Sequence, residues 1–202
     1  MILKTHTNTM DRLRNRSLVV SFLVIGVFLS CEARRQSIET EYKRFCAQQI
    51  SFPSKMMCVK NGAVKEEAIV DRAPFKFVYY IDSTECSSCS IAHFSVFNRL
   101  IDLSEKNDSF DFYIILSPKI LNAEELARDI SVFEYDFPVY IDNQARFRKL
   151  NRHIPSNKLF HQFLLNGENN PVFVGSPLTN KQMSELFDKT LVSLGIIPKL
   201  SF

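Results

Sequence analysis

Two cysteines, Cys86 and Cys89, stand three residues apart in the segment Glu-Cys-Ser-Ser-Cys and could carry thiol chemistry. Cysteines at this spacing can approach to disulfide distance across the start of a helix. The unpaired N–H groups and the dipole at a helix N-terminus also favour the thiolate, which is the reactive form of the side chain. We therefore expect a redox-active dithiol if a helix begins at these cysteines.

Other uses of a C-x-x-C pair need residues that the chain does not supply. A zinc site needs two more ligands, and the remaining pair, Cys46 and Cys58, lacks the close spacing of a zinc ribbon. Haem attachment needs a histidine directly after the second cysteine, where the chain has Ser90. We expect no metal and no other cofactor, so the elements around the pair must decide its role.

An apolar run precedes the cysteines and an amphipathic segment follows them. Residues 75–82, Phe-Lys-Phe-Val-Tyr-Tyr-Ile-Asp, are typical of a buried β-strand, and residues 91–103 have the apolar spacing of a helix. Cys86 and Cys89 are thus predicted to lie in the turn between a strand and a helix.

The rest of the chain continues this alternation. A strand is predicted at 110–117, and the helix after it opens with the capping box Asn122–Glu125 and has Leu126, Ile130 and Phe133 on its apolar face. A strand at 137–142 and a hairpin of 160–166 and 171–175 follow. The final helix runs from Thr179 to Leu194, with Thr179 and Gln182 as its capping box. Alternating βαβ units require parallel strands, and the hairpin adds an antiparallel edge. We predict an α/β fold with a central mixed β-sheet and helices on both faces.

The N-terminus has the pattern of an export signal. Residues 1–16 carry four basic side chains against one acidic, and the thirteen residues from Ser17 to Leu29 are almost entirely apolar. Thirteen residues are short of the roughly 20 that span a bilayer as a helix, which makes a permanent anchor the weaker interpretation. The segment from Phe28 to Cys31 resembles the lipobox of bacterial lipoproteins, which implies lipid attachment at Cys31. Met10 is an alternative start, because residues 10–16 alone supply a basic segment.

Without residues 1–30 the charge balance is neutral. The chain has 25 basic and 22 acidic residues, and residues 1–30 hold four and one of them, which leaves 21 of each sign. The basic character therefore belongs to the predicted leader. The chain has no cluster of lysine and arginine residues, so we expect no binding to nucleic acid.

Residues 31–70 are predicted to be a tether and an N-terminal extension. A helix is expected around Glu39 to Gln48, and a short strand at 55–60 ends at an Asn61-Gly62 turn. Cys46 and Cys58 lie in this region. They are interpreted either as a structural disulfide of an exported protein or as buried free thiols.

The order βαβ and then ββα, with Cys-Ser-Ser-Cys at a strand-to-helix turn, resembles the thioredoxin fold. The layout is similar to that of membrane-tethered, TlpA-type thiol–disulfide oxidoreductases, in which a strand ending in Asp and a Phe-Leu-Leu-Asn-Gly segment precede the closing strand and helix. Residues 137–142, 163–167 and 172–175 hold those places here. The resemblance covers residues 70–196 and implies a thioredoxin-like domain at 71–202, after the leader (1–30) and the extension (31–70).

The resemblance also implies roles for the two cysteines. Cys86 would attack a substrate disulfide as a thiolate, and Cys89 would resolve the mixed disulfide. Glu85 is a candidate for tuning the pKa of Cys86, because a neighbouring carboxylate opposes thiolate formation and makes the couple more reducing.

The chain departs from the family pattern at several positions. Glu85 and the pair Ser87-Ser88 replace the usual aromatic residue and proline-containing pair, and there is no tryptophan. The place of the family's cis-proline falls on Leu159 or Phe160, with Pro155 as the candidate if the loop is longer. A peroxiredoxin is disfavoured because Thr84 is two residues before Cys86, where that family's pattern has three.

The sequence thus predicts a lipoprotein of the bacterial cell envelope, facing the periplasm, that reduces disulfides of envelope proteins and needs a redox partner. One alternative is a thioredoxin-fold scaffold whose C-x-x-C is structural. A second is a protein that handles Cu(I), with Cys86, Cys89 and His161 as ligands.

Overall fold

The structure, a computed structural model, describes residues 32, 34–69, 73–82, 91, 94–117 and 123–198. The chain divides into two units, residues 1–43 and 44–202. In the first unit, the described residues from 34 to 43 are helical, and the second unit begins with helical residues 44–46. The described residues include no helix with the length and apolar character that a membrane crossing requires. The predicted leader and Cys31 lie outside the described residues.

The second unit contains seven strands and four described α-helices. Its elements are β1 (Met56–Lys60), β2 (Ala63–Glu67), β3 (Phe75–Ile81), a 3-10 helix (Phe94–Phe97) that leads into α1 (Asn98–Lys106), β4 (Phe110–Leu116), α2 (Ala123–Ser131), β5 (Val139–Ile141), α3 (Arg146–Leu150), a second 3-10 helix (Lys158–Phe160), β6 (Gln162–Leu165), β7 (Pro171–Val174) and α4 (Lys181–Ser193).

All seven strands belong to one mixed sheet in the order β2-β1-β5-β4-β3-β6-β7. The three central strands β3, β4 and β5 are parallel, because each is joined to the next through a helix. The strand β6 pairs antiparallel with β3, and β7 pairs antiparallel with β6. On the other side of the sheet, β1 pairs antiparallel with β5. This arrangement confirms the predicted α/β class and the thioredoxin-like order of elements.

Alternation along the strands separates two apolar layers. Phe77 of β3 points to the face that carries α1, α2 and α4, where its ring makes an edge contact with Phe187 at 5.3 Å. Tyr80 points to the opposite face, where it packs on Phe147 of α3 at 5.3 Å. Phe45 covers the same face further along, 5.4 Å from Phe163. Helical residues therefore cover both faces of the sheet, as predicted.

The structure moves the predicted domain boundary toward the N-terminus. Residues 56–67 form the β1–β2 hairpin around Asn61-Gly62, and both turn residues have the positive φ values that this turn requires. Because β1 also pairs with β5, the hairpin is part of the central sheet rather than of a separate extension. The unit that holds the sheet begins at residue 44, not at 71.

A buried amide joins the N-terminal part of this unit to α3. The side chain of Asn151 is fully buried, accepts a hydrogen bond from the backbone N–H of Ser51 at 2.8 Å and donates to the Ser51 carbonyl at 2.7 Å. It also donates to the carbonyl of Phe147 at 2.8 Å. One side chain thus pairs with both the N–H and the carbonyl of a residue that lies a hundred positions away in the chain.

Two details of the predicted helices are wrong. The N-cap of α4 is Asn180, whose side chain accepts from the N–H of Met183 at 2.9 Å, so Thr179 and Gln182 do not form the capping box. Phe133 lies beyond the end of α2 and is 47% exposed, whereas Leu126 and Ile130 are buried as expected.

Candidate active site

The segment that carries the dithiol connects the carboxyl end of β3 to the helical residue Ile91. Asp82 is the last described residue before it. Cys86, Cys89 and Glu85 lie outside the described residues, so the geometry of the site is taken from its surroundings. Parallel strands bring their carboxyl ends to one edge of a sheet, and ligand sites of α/β folds form at this edge.

Three buried polar residues mark this edge. Asp82, Ser117 and Asp142 directly follow β3, β4 and β5, and all three are buried. Backbone hydrogen bonds connect the three strand ends. The N–H of Ser117 donates to the carbonyl of Ile81 at 2.9 Å, and the N–H of Asp142 donates to the carbonyl of Leu116 at 2.7 Å. The edge beside the dithiol segment is therefore polar and tightly hydrogen-bonded.

Asp142 organises the start of α3. Its carboxylate accepts hydrogen bonds from the backbone N–H groups of Arg146 at 2.7 Å and of Arg148 at 3.3 Å. Burial raises the pKa of this carboxyl above its ordinary value, against the opposing effect of the backbone hydrogen bonds. The side chain thus acts as a structural cap.

Tyr80, two residues before Asp82, is a fully buried phenol. Burial is the main cause that raises its pKa to about 12, so the hydroxyl is protonated at neutral pH. A side-chain hydrogen bond with Ser117 opposes this rise. Its ring packs edge-on against His161 at 5.4 Å, and its N–H bonds the carbonyl of His161 at 2.8 Å.

His161 occupies the position directly before β6, beside the end of β3. The ring is buried, and its Nε2 donates to the carbonyl of Pro155 at 3.0 Å, which closes the loop from 155 to 161. Because the carbonyl can only accept, this bond requires that Nε2 carries the ring proton. The described residues include no cluster of three or more His, Cys, Asp or Glu side chains that would hold a metal ion.

Pro155, the candidate for the family's cis-proline, does not form a cis bond. No cis peptide bond occurs among the described residues, so the bond between Ile154 and Pro155 is trans. Pro155 is seven residues before the start of β6, and His161 takes the adjoining position instead. The 3-10 helix 158–160, capped by the Asn157 side chain at the N–H of Leu159, fills the space between them.

Tyr135 makes a contact to Ile91, just after the dithiol segment, that the sequence did not reveal. Its hydroxyl donates to the carbonyl of Ile91 at 2.7 Å. Ile91 is helical, buried and only two residues after Cys89. The loop between α2 and β5 thus holds the segment that directly follows the two cysteines.

Of the two interpretations of Cys46 and Cys58, the structural disulfide is not formed, and both side chains remain thiols. Cys58 is buried in β1, between β2 and β5. Burial, with a further contribution from the neighbouring Glu67, raises the pKa of the Cys58 thiol to about 12. This thiol is therefore unreactive, and Cys46 is only partly buried.

The sequence matches no family model and no curated protein. Solved structures that resemble the chain include a DsbE-type thiol:disulfide interchange protein from Chlorobium tepidum, with 12% identity, 73% of this chain and 99% of that chain covered, and a TM-score of 0.46. The exposed lipoprotein thioredoxin of Streptococcus pneumoniae has 16% identity, covers 68% of this chain and 99% of its own, and has a TM-score of 0.45. A PrxQ mutant from Xylella fastidiosa has 12% identity, covers 73% and 95%, and has a TM-score of 0.48. Likenesses of this size assign no activity, and the thioredoxin-like architecture rests on the order and direction of the strands.

Proposed function

We propose that the chain is a thiol–disulfide oxidoreductase that uses Cys86 and Cys89. The observation that carries the proposal is the position of the Cys-x-x-Cys segment between the carboxyl end of β3 and a helical residue, in a sheet with thioredoxin-like strand order. A helix that begins in this segment would direct its unpaired N–H groups at the sulfurs and favour a thiolate.

The proposed reaction has two exchanges. The Cys86 thiolate attacks one sulfur of a substrate disulfide, the substrate S–S bond breaks, and the other substrate sulfur leaves as a thiolate and takes up a proton. The Cys89 thiolate then attacks Cys86 Sγ, which releases the second substrate thiol and leaves a Cys86–Cys89 disulfide. The substrate gains two electrons, and a dithiol partner must reduce the protein again.

Glu85 sets the expected direction of electron flow. A carboxylate beside Cys86 disfavours the thiolate and so stabilises the disulfide relative to the reduced pair. The protein is therefore proposed to act as a reductase. Its reduction potential should be near the value of about −270 mV of thioredoxin, and a value near the roughly −120 mV of DsbA would contradict the assignment.

The proposed place of action is the bacterial cell envelope, with the chain attached to a membrane through a lipid on Cys31 and its substrates among envelope proteins. The basic and apolar pattern of residues 1–29 and the lipobox-like end at Cys31 support this. Cells grown with labelled palmitate should label the wild-type chain and not a Cys31→Ser variant. Equal labelling of both would refute the attachment.

Insulin reduction by the full chain in detergent tests the activity. Wild type should reduce insulin disulfides, Cys86→Ser should be inactive, and Cys89→Ser should accumulate a mixed disulfide with the substrate. Cys46→Ser is the matched control, and its rate should equal that of wild type because Cys46 lies outside the dithiol segment. Equal inactivity of wild type and both dithiol variants, with no trapped adduct, would refute the enzyme.

A scaffold role is the second candidate. It is favoured by the absence of a cis-proline at Pro155 and by the atypical Glu-Cys-Ser-Ser-Cys segment. A scaffold with a structural C-x-x-C would show no exchange with glutathione and would not reduce insulin, even as the wild-type chain. The insulin assay therefore separates the two candidates.

A further inference from the structure

The carbonyl of Ile91 receives a hydrogen bond from a side chain outside its own helix. The donor is the Tyr135 hydroxyl, at 2.7 Å. Residue 91 is α-helical, whereas residues 94–97 have 3-10 geometry before α1 begins at Asn98. The Tyr135 hydroxyl thus holds the backbone at Ile91 from outside the segment that follows the cysteines.

Tyr135 itself is held from three sides. Its ring stacks on Phe133 at 5.5 Å with an interplanar angle of 5°, and its other ring contacts are Phe94 at 5.7 Å and Phe137 at 4.9 Å. Its carbonyl accepts from the N–H of Asn61 in the β1–β2 turn at 2.7 Å. Burial raises the pKa of the phenol above its ordinary value, so the hydroxyl remains a donor at neutral pH. Phe133, Phe137 and Asn61, which hold the ring and the backbone of Tyr135, lie outside the segment that follows the cysteines.

We propose that Tyr135 is a positioning residue for the resolution of the mixed disulfide and that it acts through the Ile91 carbonyl. The inference rests on the proposed redox function of Cys86 and Cys89. In resolution the Cys89 thiolate attacks Cys86 Sγ, the bond from Cys86 Sγ to the substrate sulfur breaks, and that sulfur leaves as a thiolate and is protonated. The rate depends on the effective concentration of one sulfur at the other, and the hydrogen bond at Ile91, two residues after Cys89, would raise it by fixing the chain beside the cysteines.

The variant Tyr135→Phe removes the hydroxyl and keeps the ring with its aromatic contacts. One typical hydrogen bond corresponds to about fivefold in an equilibrium or rate constant. Resolution should therefore slow about fivefold, and the reduction potential should become less negative because the internal disulfide forms less favourably. The first step, attack by Cys86, should keep its rate because it involves no closure between the two cysteines.

The experiment mixes the reduced full chain with oxidised glutathione, quenches with acid and follows the Cys86 adduct and the internal disulfide by mass spectrometry. Tyr113→Phe is the matched control, since it removes a tyrosine hydroxyl that donates to Asp111 at 3.0 Å in β4. The control should leave both steps and the potential unchanged. Melting temperatures of both variants show whether either is unfolded.

Three results would overturn the inference. If Tyr135→Phe resolves the adduct at the wild-type rate with an unchanged potential, Tyr135 has no positioning role, while insulin reduction by wild type still supports the proposed function. An equal slowing of both steps, or the same slowing in Tyr113→Phe, would identify a general effect on stability. If wild type forms neither an adduct nor an internal disulfide, the proposed function fails and the inference with it.

Discussion

We predict that loss of the Asn151 amide destabilises the protein, by an amount that follows from its hydrogen bonds. The variant Asn151→Ala removes three hydrogen bonds, two to the backbone of Ser51 and one to the carbonyl of Phe147. A net contribution of about 1 kcal/mol for each bond gives a loss of about 3 kcal/mol. The loss is smaller where water replaces the amide, and this applies to Ser51, which is exposed.

We therefore expect the free energy of unfolding to fall by about 2–3 kcal/mol. Urea unfolding followed by circular dichroism measures this change. With a slope of roughly 2 kcal/mol per molar urea, the midpoint should fall by a little more than about 1 M. The slope itself should not change, because the variant exposes a similar surface on unfolding.

Asn157→Ala provides the control, because Asn157 is exposed and its side chain accepts a single hydrogen bond from the N–H of Leu159. Its cost should stay below about 1 kcal/mol. The reasoning about Asn151 would be refuted if Asn151→Ala lost no more stability than Asn157→Ala. The buried amide would then not hold residues 44–53 to α3.

Further changes in stability and reactivity follow from single residues. Asn180→Ala should lower the free energy of unfolding by about 1 kcal/mol through loss of the α4 cap. Thr179→Ala should leave the urea midpoint equal to that of wild type within error. A larger loss of stability in Thr179→Ala than in Asn180→Ala would contradict the assigned cap. Ala145 has a φ of +51°, so Ala145→Gly should raise the melting temperature, with a gain of about 1 kcal/mol at most, and a drop would show that the backbone is not strained there. Iodoacetamide at pH 8 should modify Cys46 and not Cys58 in the folded chain, as mass spectrometry can show. The Cys58 thiol ionises from about pH 9 in the unfolded chain and only near pH 12 in the folded chain. The free energy of unfolding should therefore fall as pH rises between these values, and Cys58→Ala should remove this contribution to the pH dependence.

The sequence predicted the central strands well, because burial on both faces produces continuous apolar runs. Residues 75–82 and 110–117 were predicted as strands, and β3 and β4 occupy Phe75–Ile81 and Phe110–Leu116. The edge strand β2 was missed. All five of its residues are exposed, so it has no apolar alternation, and only its pairing with β1 makes it a strand.

The assignment of caps and of helix faces was less accurate. Thr179 and Asn180 are both good N-cap residues, and spacing alone favoured the wrong one of these neighbours. Phe133 continued the apolar spacing of α2, but the helix ends at Ser131 and the ring instead stacks on Tyr135. Local patterns do not show where a helix stops when a tertiary contact decides it.

The sequence by itself determined the chemistry that is available at the site, since Cys86, Cys89 and Glu85 are adjacent and need no folding to be recognised. It also determined the α/β class, because strand and helix periodicities are local properties of the chain. Only the tertiary structure decided that no disulfide joins Cys46 and Cys58, that His161 stands before β6 in place of a proline, and that Tyr135 reaches the carbonyl of Ile91. These contacts join residues far apart in the chain, and their distances depend on how the sheet and its loops pack.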